Sequence, residues 1–521
     1  MQEGVNDYSR TKNSTINIVT GTLGQILSIL LKFVCRTVFI HTLGTAYLGI
    51  NGLFSDILSM LSLAELGFDT AISFRLYKPI AEKDDRKIRE YIIFFRDVYR
   101  VIGICIFILG LLLIPFLHYF IADYDTLEGL GINAAFIFIL FLIQNVSTYL
   151  FFAYRSITFK VNQKQYMLDI AGYFITIAST VSQIAVLLLF KNFVVFIITT
   201  IVFVILQNLI YAILATKRFP LYFKGPKGCL SKDEKRDLFK DCSALFVYKI
   251  NNVVIKATDN LVLSSFIGLV VVGLYSNYVM IYAGFSGILH VMFRAVKASM
   301  GNLFVTDDVK KKYYFFEVMN YVTFLLYGTA AICLAVESNE FIECWIGSKY
   351  ILPQPVPILI GIELLFTGIK LNLSQIRHVS GVFRQMWYRP ILGSLINVTS
   401  SIIFVQLWGV SGVIAGTLLA AVFAHFLVDP VVINKYSFKN VFPVSRYYLK
   451  NIRFALLLCV IFFIDYYICK SLVVENIVLS LILHLSICAI SVISVFLLFF
   501  RKSRESIYIV GKVSNIKKNI K

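Results

Sequence analysis

Four cations stand where a membrane makes them costly. Lys32, Arg36, Lys256 and Lys370 all lie inside long apolar stretches. A charge at a bilayer centre costs about 2.5–3.5 kcal/mol on insertion scales, so each should face protein or a water-filled cavity. Gly21, Gln25, Ser28, Lys32 and Arg36 recur every three to four residues, which puts them on one helical face. Lys249, Asn252, Lys256 and Asn260 repeat the spacing of the last four, with Asp259 beside them, and Glu363, Thr367, Lys370, Ser374 and Arg377 make a third face. Ammonium groups and a forked guanidinium receive phosphate oxygens. The faces therefore predict an anion site with Lys32, Arg36, Lys256 and Lys370 as its cations and Gln25, Ser28, Lys249, Asn252 and Asn260 as its polar lining. The competing reading is structural: Lys256 pairs with Asp259 or Glu363, while Arg36 or Arg377 snorkels to an interface.

Acidic residues in apolar stretches, Asp56, Glu65, Asp69, Asp259, Asp429 and Asp465, are candidate proton or cation sites or charge partners. Near the ends of such stretches, neutralisation by Lys or Arg is the commoner arrangement. Asp259 and Glu363 share a face with a buried lysine and are the better candidates for ion coupling, with Asp69 after them.

These residues need helices to hold them. The chain has 521 residues, 58% hydrophobic and 15% charged, with a mean hydropathy of +0.78. Soluble chains carry about a quarter charged residues. The composition predicts an all-α polytopic membrane protein of about 14 transmembrane helices, the second, seventh and tenth of which carry charges. The first follows a polar stretch of about 15 residues with no A-x-A-like cleavage site, so it reads as an uncleaved span.

Lys and Arg collect in alternate loops, whereas the opposite loops hold Lys191, Lys349 and Lys470 among acidic clusters such as Glu337, Glu340 and Glu343. That asymmetry predicts both termini in the cytoplasm. It also accounts for the net charge of +19 without nucleic acid.

The chain repeats itself. Gly44 and Gly49 recur as Gly268 and Gly273, and Asp84, Asp85, Arg86 and Lys87 correspond to Asp307, Asp308, Lys310 and Lys311. Arg155, Gln163 and Tyr166 recur as Arg377, Gln385 and Tyr388. Two six-helix units of like orientation are the parallel-repeat plan of many transporters, with the site expected between the halves and Lys32 and Lys256 as repeat mates. The predicted organisation is an N-terminal lobe over 1–216, a cytoplasmic linker over 217–243, a C-terminal lobe over 244–436, two additional helices over 437–500 and a basic tail over 501–521.

Other chemistry is not signalled. The nine cysteines show no C-x-x-C pair and read as small hydrophobes, and the six histidines are scattered without H-E-x-x-H, which predicts no metal site. No phosphate-binding G-x-x-x-x-G-K-[ST] occurs, so the expectation is a transporter rather than an enzyme, without a cofactor and with a Na+ or H+ gradient as one open source of energy. Gly412, Gly416, Ala420 and Ala424 predict a helix-packing stripe.

The stretch from Lys249 through Asp259 and Asn260 to Gly268 and Gly273, and its first-span equivalent ending at Gly44 to Gly49, resemble the polysaccharide transporters (Wzx-like oligosaccharide flippases) of the multidrug/oligosaccharidyl-lipid/polysaccharide exporter superfamily. The resemblance covers about residues 14 to 440. It implies a flippase of the bacterial cytoplasmic membrane that moves an undecaprenyl-diphosphate-linked glycan by alternating access, with Lys32, Arg36 and Lys256 as the cavity cations. The implied partners are this lipid-linked glycan, membrane lipids and other polysaccharide assembly proteins. The two extra spans resemble those of lipid II flippases. A cation-coupled multidrug antiporter, a lipid II flippase and a membrane glycan polymerase remain the alternatives.

Overall fold

The computed structural model describes residues 2–65, 68–122, 124, 133–226, 228–305, 308–382, 384–472, 474–508 and 511, and no strand occurs among them. Among the described residues, eleven helices are long and apolar enough to cross a membrane. The number rises to twelve if Ala134–Leu150 and Ala153–Val161, bent by 45° at their junction, form one span. The two expected spans outside this set are the second, whose helix Thr45–Leu61 has 17 residues, and the seventh, whose helix Lys232–Phe266 opens in a run of charges. The first is short of the ~20 residues a span requires. The chain divides into two compact units, Met1–Gly273 and Leu274–Lys521.

The first unit contains α1 (Gln2–Leu43), α2 (Thr45–Leu61), α3 (Phe68–Glu82), α4 (Asp85–Leu113), α5 (Ala134–Leu150), α6 (Gln165–Phe190), α7 (Phe193–Arg218) and α8 (Lys232–Phe266). α1 packs on α6 through Gly24, where a Cβ would fall 1.6 Å from the Tyr173 ring. The Tyr173 hydroxyl donates to the Thr20 carbonyl at 3.1 Å.

The repeated glycines now have a physical role. Gly44 and Gly268 have φ of 88° and 118°, a region that favours glycine, and each ends one helix before another begins. Gly49 and Gly273 permit a backbone crossing. A Cβ on Gly49 would lie 1.9 Å from the Leu269 carbonyl oxygen, and one on Gly273 would lie 2.2 Å from that of Thr45. Thr45 and Leu269 are themselves repeat mates, so the two contacts are reciprocal, as a local two-fold requires.

The repeated acidic-then-basic loops are helix caps. Asp84 accepts from the Lys87 amide at 2.9 Å, and Asp308 accepts from the Lys310 and Lys311 amides at 3.1 Å. Much of the expected 217–243 linker is helix, because Ser231 and Glu234 form a capping box that starts α8. The repeat assigns α8 to the second copy, whereas its packing against α2 places it in the first compact unit.

Lys87 Nζ reaches Glu234 Oε1 at 2.7 Å. The Lys87 hydrogen bond, opposed in part by burial and aided by the Ser231 amide and hydroxyl, holds the Glu234 carboxyl below its ordinary range. A lowered folded value contributes stability above the unfolded value near pH 4.5 that is lost as pH falls through the folded one. Glu234→Gln should thus lower the thermal midpoint at pH 7 by an amount worth about 1 kcal/mol or less. Melts of the two proteins should converge as pH falls through the lowered folded value.

The second unit contains most of α9 (Leu269–Val305), then α10 (Val309–Ile346), α11 (Pro355–Ser380), α12 (Arg389–Trp408), α13 (Val410–Ala420), α14 (Asp429–Ser437), α15 (Val444–Ser471) and α16 (Ile477–Phe499). The small-residue stripe packs α13 on α12: a Cβ on Gly412 would lie 1.9 Å from the Phe404 carbonyl oxygen. Ser400 donates to the Gly416 carbonyl at 3.2 Å. The terminal pair, α15 and α16, clasps α10 through the rings of Tyr321, Phe454, Phe496 and Phe500. Lys450 ties this end together by pairing with Glu317 at 3.2 Å and with Glu505.

Candidate functional site

α1 shows two exposed faces of opposite character. Leu23, Ile26, Leu30 and Val34 are 64%, 46%, 60% and 53% exposed and form an apolar stripe. Gln25 and Lys32 are also exposed, with Ser28 and Arg36 half-buried along the same line. At 100° per residue the polar line lies roughly half a turn around the helix from the apolar stripe. Hydrocarbon suits such a stripe. Lys32 on the other side needs water or an anion, since hydrocarbon solvates no ammonium.

The structure fixes this face from behind. Cys35 donates to Gln183 Oε1 at 3.6 Å, and Gln183 in turn donates to Thr200 at 3.0 Å, linking α1 to α6 and α7. Phe39 packs edge-on against Phe193 and Phe196, with ring centroids 5.8 and 5.1 Å away.

On α8, Asp259 is buried and Asn260 donates to Asp56 of α2, so the acid of the second expected span meets the polar face of the seventh. The side chains of Lys249, Asn252 and Lys256 lie outside the described residues, as does that of Glu65. Asp69 pairs with Lys160, both side chains being about two-fifths exposed, as a charge partner does near a span end.

In the second unit, Glu363 and Lys370 are half-buried on α11, and Thr367 between them shares a 2.8 Å hydrogen bond with Tyr282. Arg377, at the end of that face, is buried rather than snorkelled. It approaches Asp429 at 3.8 Å, Arg389 Nε lies 3.3 Å from the same carboxylate, and His425 Nδ1 lies 3.7 Å away and contacts Arg389. Two guanidiniums thus meet one carboxylate in a setting where Asp429 is 0% exposed. The π-helical turn Ala421–Phe426 carries His425 into the cluster, a distortion often found at functional positions. Asp429 also begins α14, where the helix dipole favours an anion.

Sequence reasoning placed Arg377 and Asp429 but missed Arg389 and His425. The available signal was that both Arg389 and Asp429 precede a proline, which marks the first turn of a helix. The repeat mate of Arg377, Arg155, likewise bonds between helices. It donates to Thr216 at 2.7 Å and stacks over Phe152 and Phe223, beside a cavity of about 380 Å³ that Lys217 also lines.

The described residues have the form of a multispan helical membrane protein, and solved structures agree in fold. The lipid II flippase MurJ, in an inward closed conformation, matches with a TM-score of 0.63 at 15% identity over 93% of this chain and 98% of that one. A multidrug resistance MATE family transporter of the MOP superfamily matches in its inward-facing form with a TM-score of 0.60 at 13% identity, over 80% of this chain and 96% of that one. Its outward-facing form matches with a TM-score of 0.53 at 13% identity, over 83% and 97%. No curated protein matches the sequence significantly.

The sequence profile described as "Polysaccharide biosynthesis protein" matches residues 14–297, more than half the chain, and the chain belongs to that family. It is a multi-pass membrane protein with the fold of MOP superfamily transporters, as the resemblance anticipated.

Proposed function

We propose that this protein is a flippase for a polyprenyl-diphosphate-linked oligosaccharide, a repeat unit of capsule, O-antigen or a related surface glycan, and that it works by alternating access. The observation that carries the reading is the polar face of α1, with Lys32 exposed on an apolar helix on the side away from the lipid-facing stripe. A diphosphate must cross a region that hydrocarbon cannot solvate, and fixed cations lower that barrier by Coulomb attraction in a low dielectric. Lys32 and Arg36 make the first contacts, and Lys256 and Lys370 complete the cationic lining. Gln25, Ser28, Lys249, Asn252 and Asn260 bond to the head group. The buried carboxylate Asp259 and the half-buried Glu363 are the coupling positions if a Na+ or H+ gradient supplies energy. The membrane is the bacterial cytoplasmic membrane, with both termini inside, on the asymmetry of Lys and Arg between loops. The lobes are those of the sequence repeat, with the terminal helix pair added.

A second reading, lipid II as the substrate, is favoured by the 93% of this chain that the lipid II flippase fold covers. It shares the lipid-diphosphate chemistry and differs in the sugar. A multidrug antiporter for organic cations would place carboxylates, not lysines, on the exposed polar face.

The test is made in cells that depend on the protein for surface glycan. Lys32→Ala and Lys256→Ala should each leave its abundance near normal, since removing a charge from an apolar stretch favours insertion, while lipid-linked oligosaccharide accumulates on the cytoplasmic side. Arginine at either position should rescue better than glutamine, because charge is the requirement. Accumulation of lipid II instead would select the second reading.

A further inference from the structure

Three helices of the second unit converge on a set of donor atoms that anion transport does not use. Glu337 of α10, Cys469 of α15 and His484 of α16 are 2%, 3% and 2% exposed, and their ligand atoms all lie within 4.8 Å of one another. His484 Nε2 lies 3.2 Å from the Leu472 carbonyl oxygen, which accepts only from an N–H. That bond places a proton on Nε2 and turns Nδ1 toward the carboxylates. Glu337 lies 3.4 Å from Nδ1, and Glu340 Oε2 lies 3.3 Å from it. Glu337 Oε1 is buried without a hydrogen-bond partner. A ring nitrogen facing carboxylate oxygens in an apolar setting calls for a cation between them, a proton or a metal ion. A metal-binding histidine commonly donates its second N–H to a backbone carbonyl, as His484 does here.

We propose that Glu337, Cys469 and His484 form a binding site for a borderline divalent metal of the zinc class, with Glu340 or a water as the fourth ligand. One sulfur, one imidazole nitrogen and one or two carboxylate oxygens are a zinc donor set, whereas calcium and magnesium take oxygens alone. Zinc bonds of about 2.0–2.3 Å place tetrahedral ligands roughly 3.5 Å apart, so the atoms close inward by about an ångström through side-chain rotation. On binding, the Cys469 S–H bond breaks, the thiolate donates its electron pair to the metal and the proton leaves to water. Glu340, whose side chain is 42% exposed, marks the way in. The ion would fasten the terminal helix pair to α10 at the end away from the Lys450, Glu317 and Glu505 group. The ligands sit on separate helices and form no sequence motif, which is why their spacing predicted no metal.

The experiment uses the full chain, purified in detergent without a histidine tag, stripped with chelator and titrated with CoCl2. One cobalt per chain should bind with a thiolate-to-cobalt charge-transfer band, zinc should displace it and raise the thermal midpoint, and calcium should do neither. Cys469→Ser should abolish the band, and His484→Ala should weaken cobalt binding at least tenfold. Monodisperse wild-type protein without the band, or a Cys469→Ser protein that retains it, overturns the site. Should the variants not fold, zinc K-edge absorption on the wild type decides: one sulfur with nitrogen and oxygen neighbours supports the site, and a sulfur-free shell or no bound zinc refutes it.

Discussion

Asp429→Ala should destabilise the purified protein by about 3–5 kcal/mol, the cost of leaving a buried ion-pair partner uncompensated. The carboxylate lies within 3.8 Å of both Arg377 and Arg389, and neither arginine residue is more than 6% exposed. Without it, two cations would face each other in an apolar interior. A second substitution, Arg389→Met, should recover part of the loss, so the double variant should melt above Asp429→Ala alone. Fluorescence-detected size exclusion after heating reads both effects. An Asp429→Ala midpoint equal to the wild type's would mean that the two arginines are neutralised elsewhere.

The glycine crossing carries the other large effect. Gly49→Ala and Gly273→Ala each place a methyl group about 2 Å from a carbonyl oxygen, closer than any Cβ contact, and the obstacle is backbone that has no rotamer to change. Overpacking of this kind costs about 1–3 kcal/mol, and a leucine at either position should prevent assembly. The reciprocity of the contacts predicts more. Once one alanine has forced the backbones apart, the second should cost less than the first. Gly284→Ala is the control: nothing lies within 4 Å of its Cβ position, and alanine favours helix there. Melting midpoints of the four proteins check the order. Gly49→Ala at wild-type stability would exclude the close crossing.

Periodic features were legible in the sequence. Gln25, Ser28, Lys32 and Arg36 fall on one face because helical spacing is a property of local sequence, and the structure leaves Lys32 exposed on that face. The repeat identified Gly49, Gly273, Asp84 and Asp308, although not what they do, since a cap needs an amide and a crossing needs a second backbone. Features that depend on convergence were hidden. Arg389, His425 and Asp429 meet through two helices and a π-helical turn that no periodicity encodes. Glu337, Cys469 and His484 likewise meet only when the terminal pair docks. The second and seventh expected spans show the limit of hydropathy. α2 is short, α8 carries its charges into the helix, and both are held by protein contacts, Asn260 to Asp56 among them.

The proposed function is carriage of a lipid diphosphate across the membrane by fixed cations. Its direct measurement is translocation of a fluorescent polyprenyl-diphosphate oligosaccharide in proteoliposomes, read as the fraction that becomes accessible to an impermeant quencher. Wild-type protein should move the substrate. The Lys32→Ala, Lys256→Ala double variant, reconstituted to the same density, should slow it at least tenfold, and the two Lys→Arg changes should restore most of the rate. Translocation by the double variant at the wild-type rate would contradict the account.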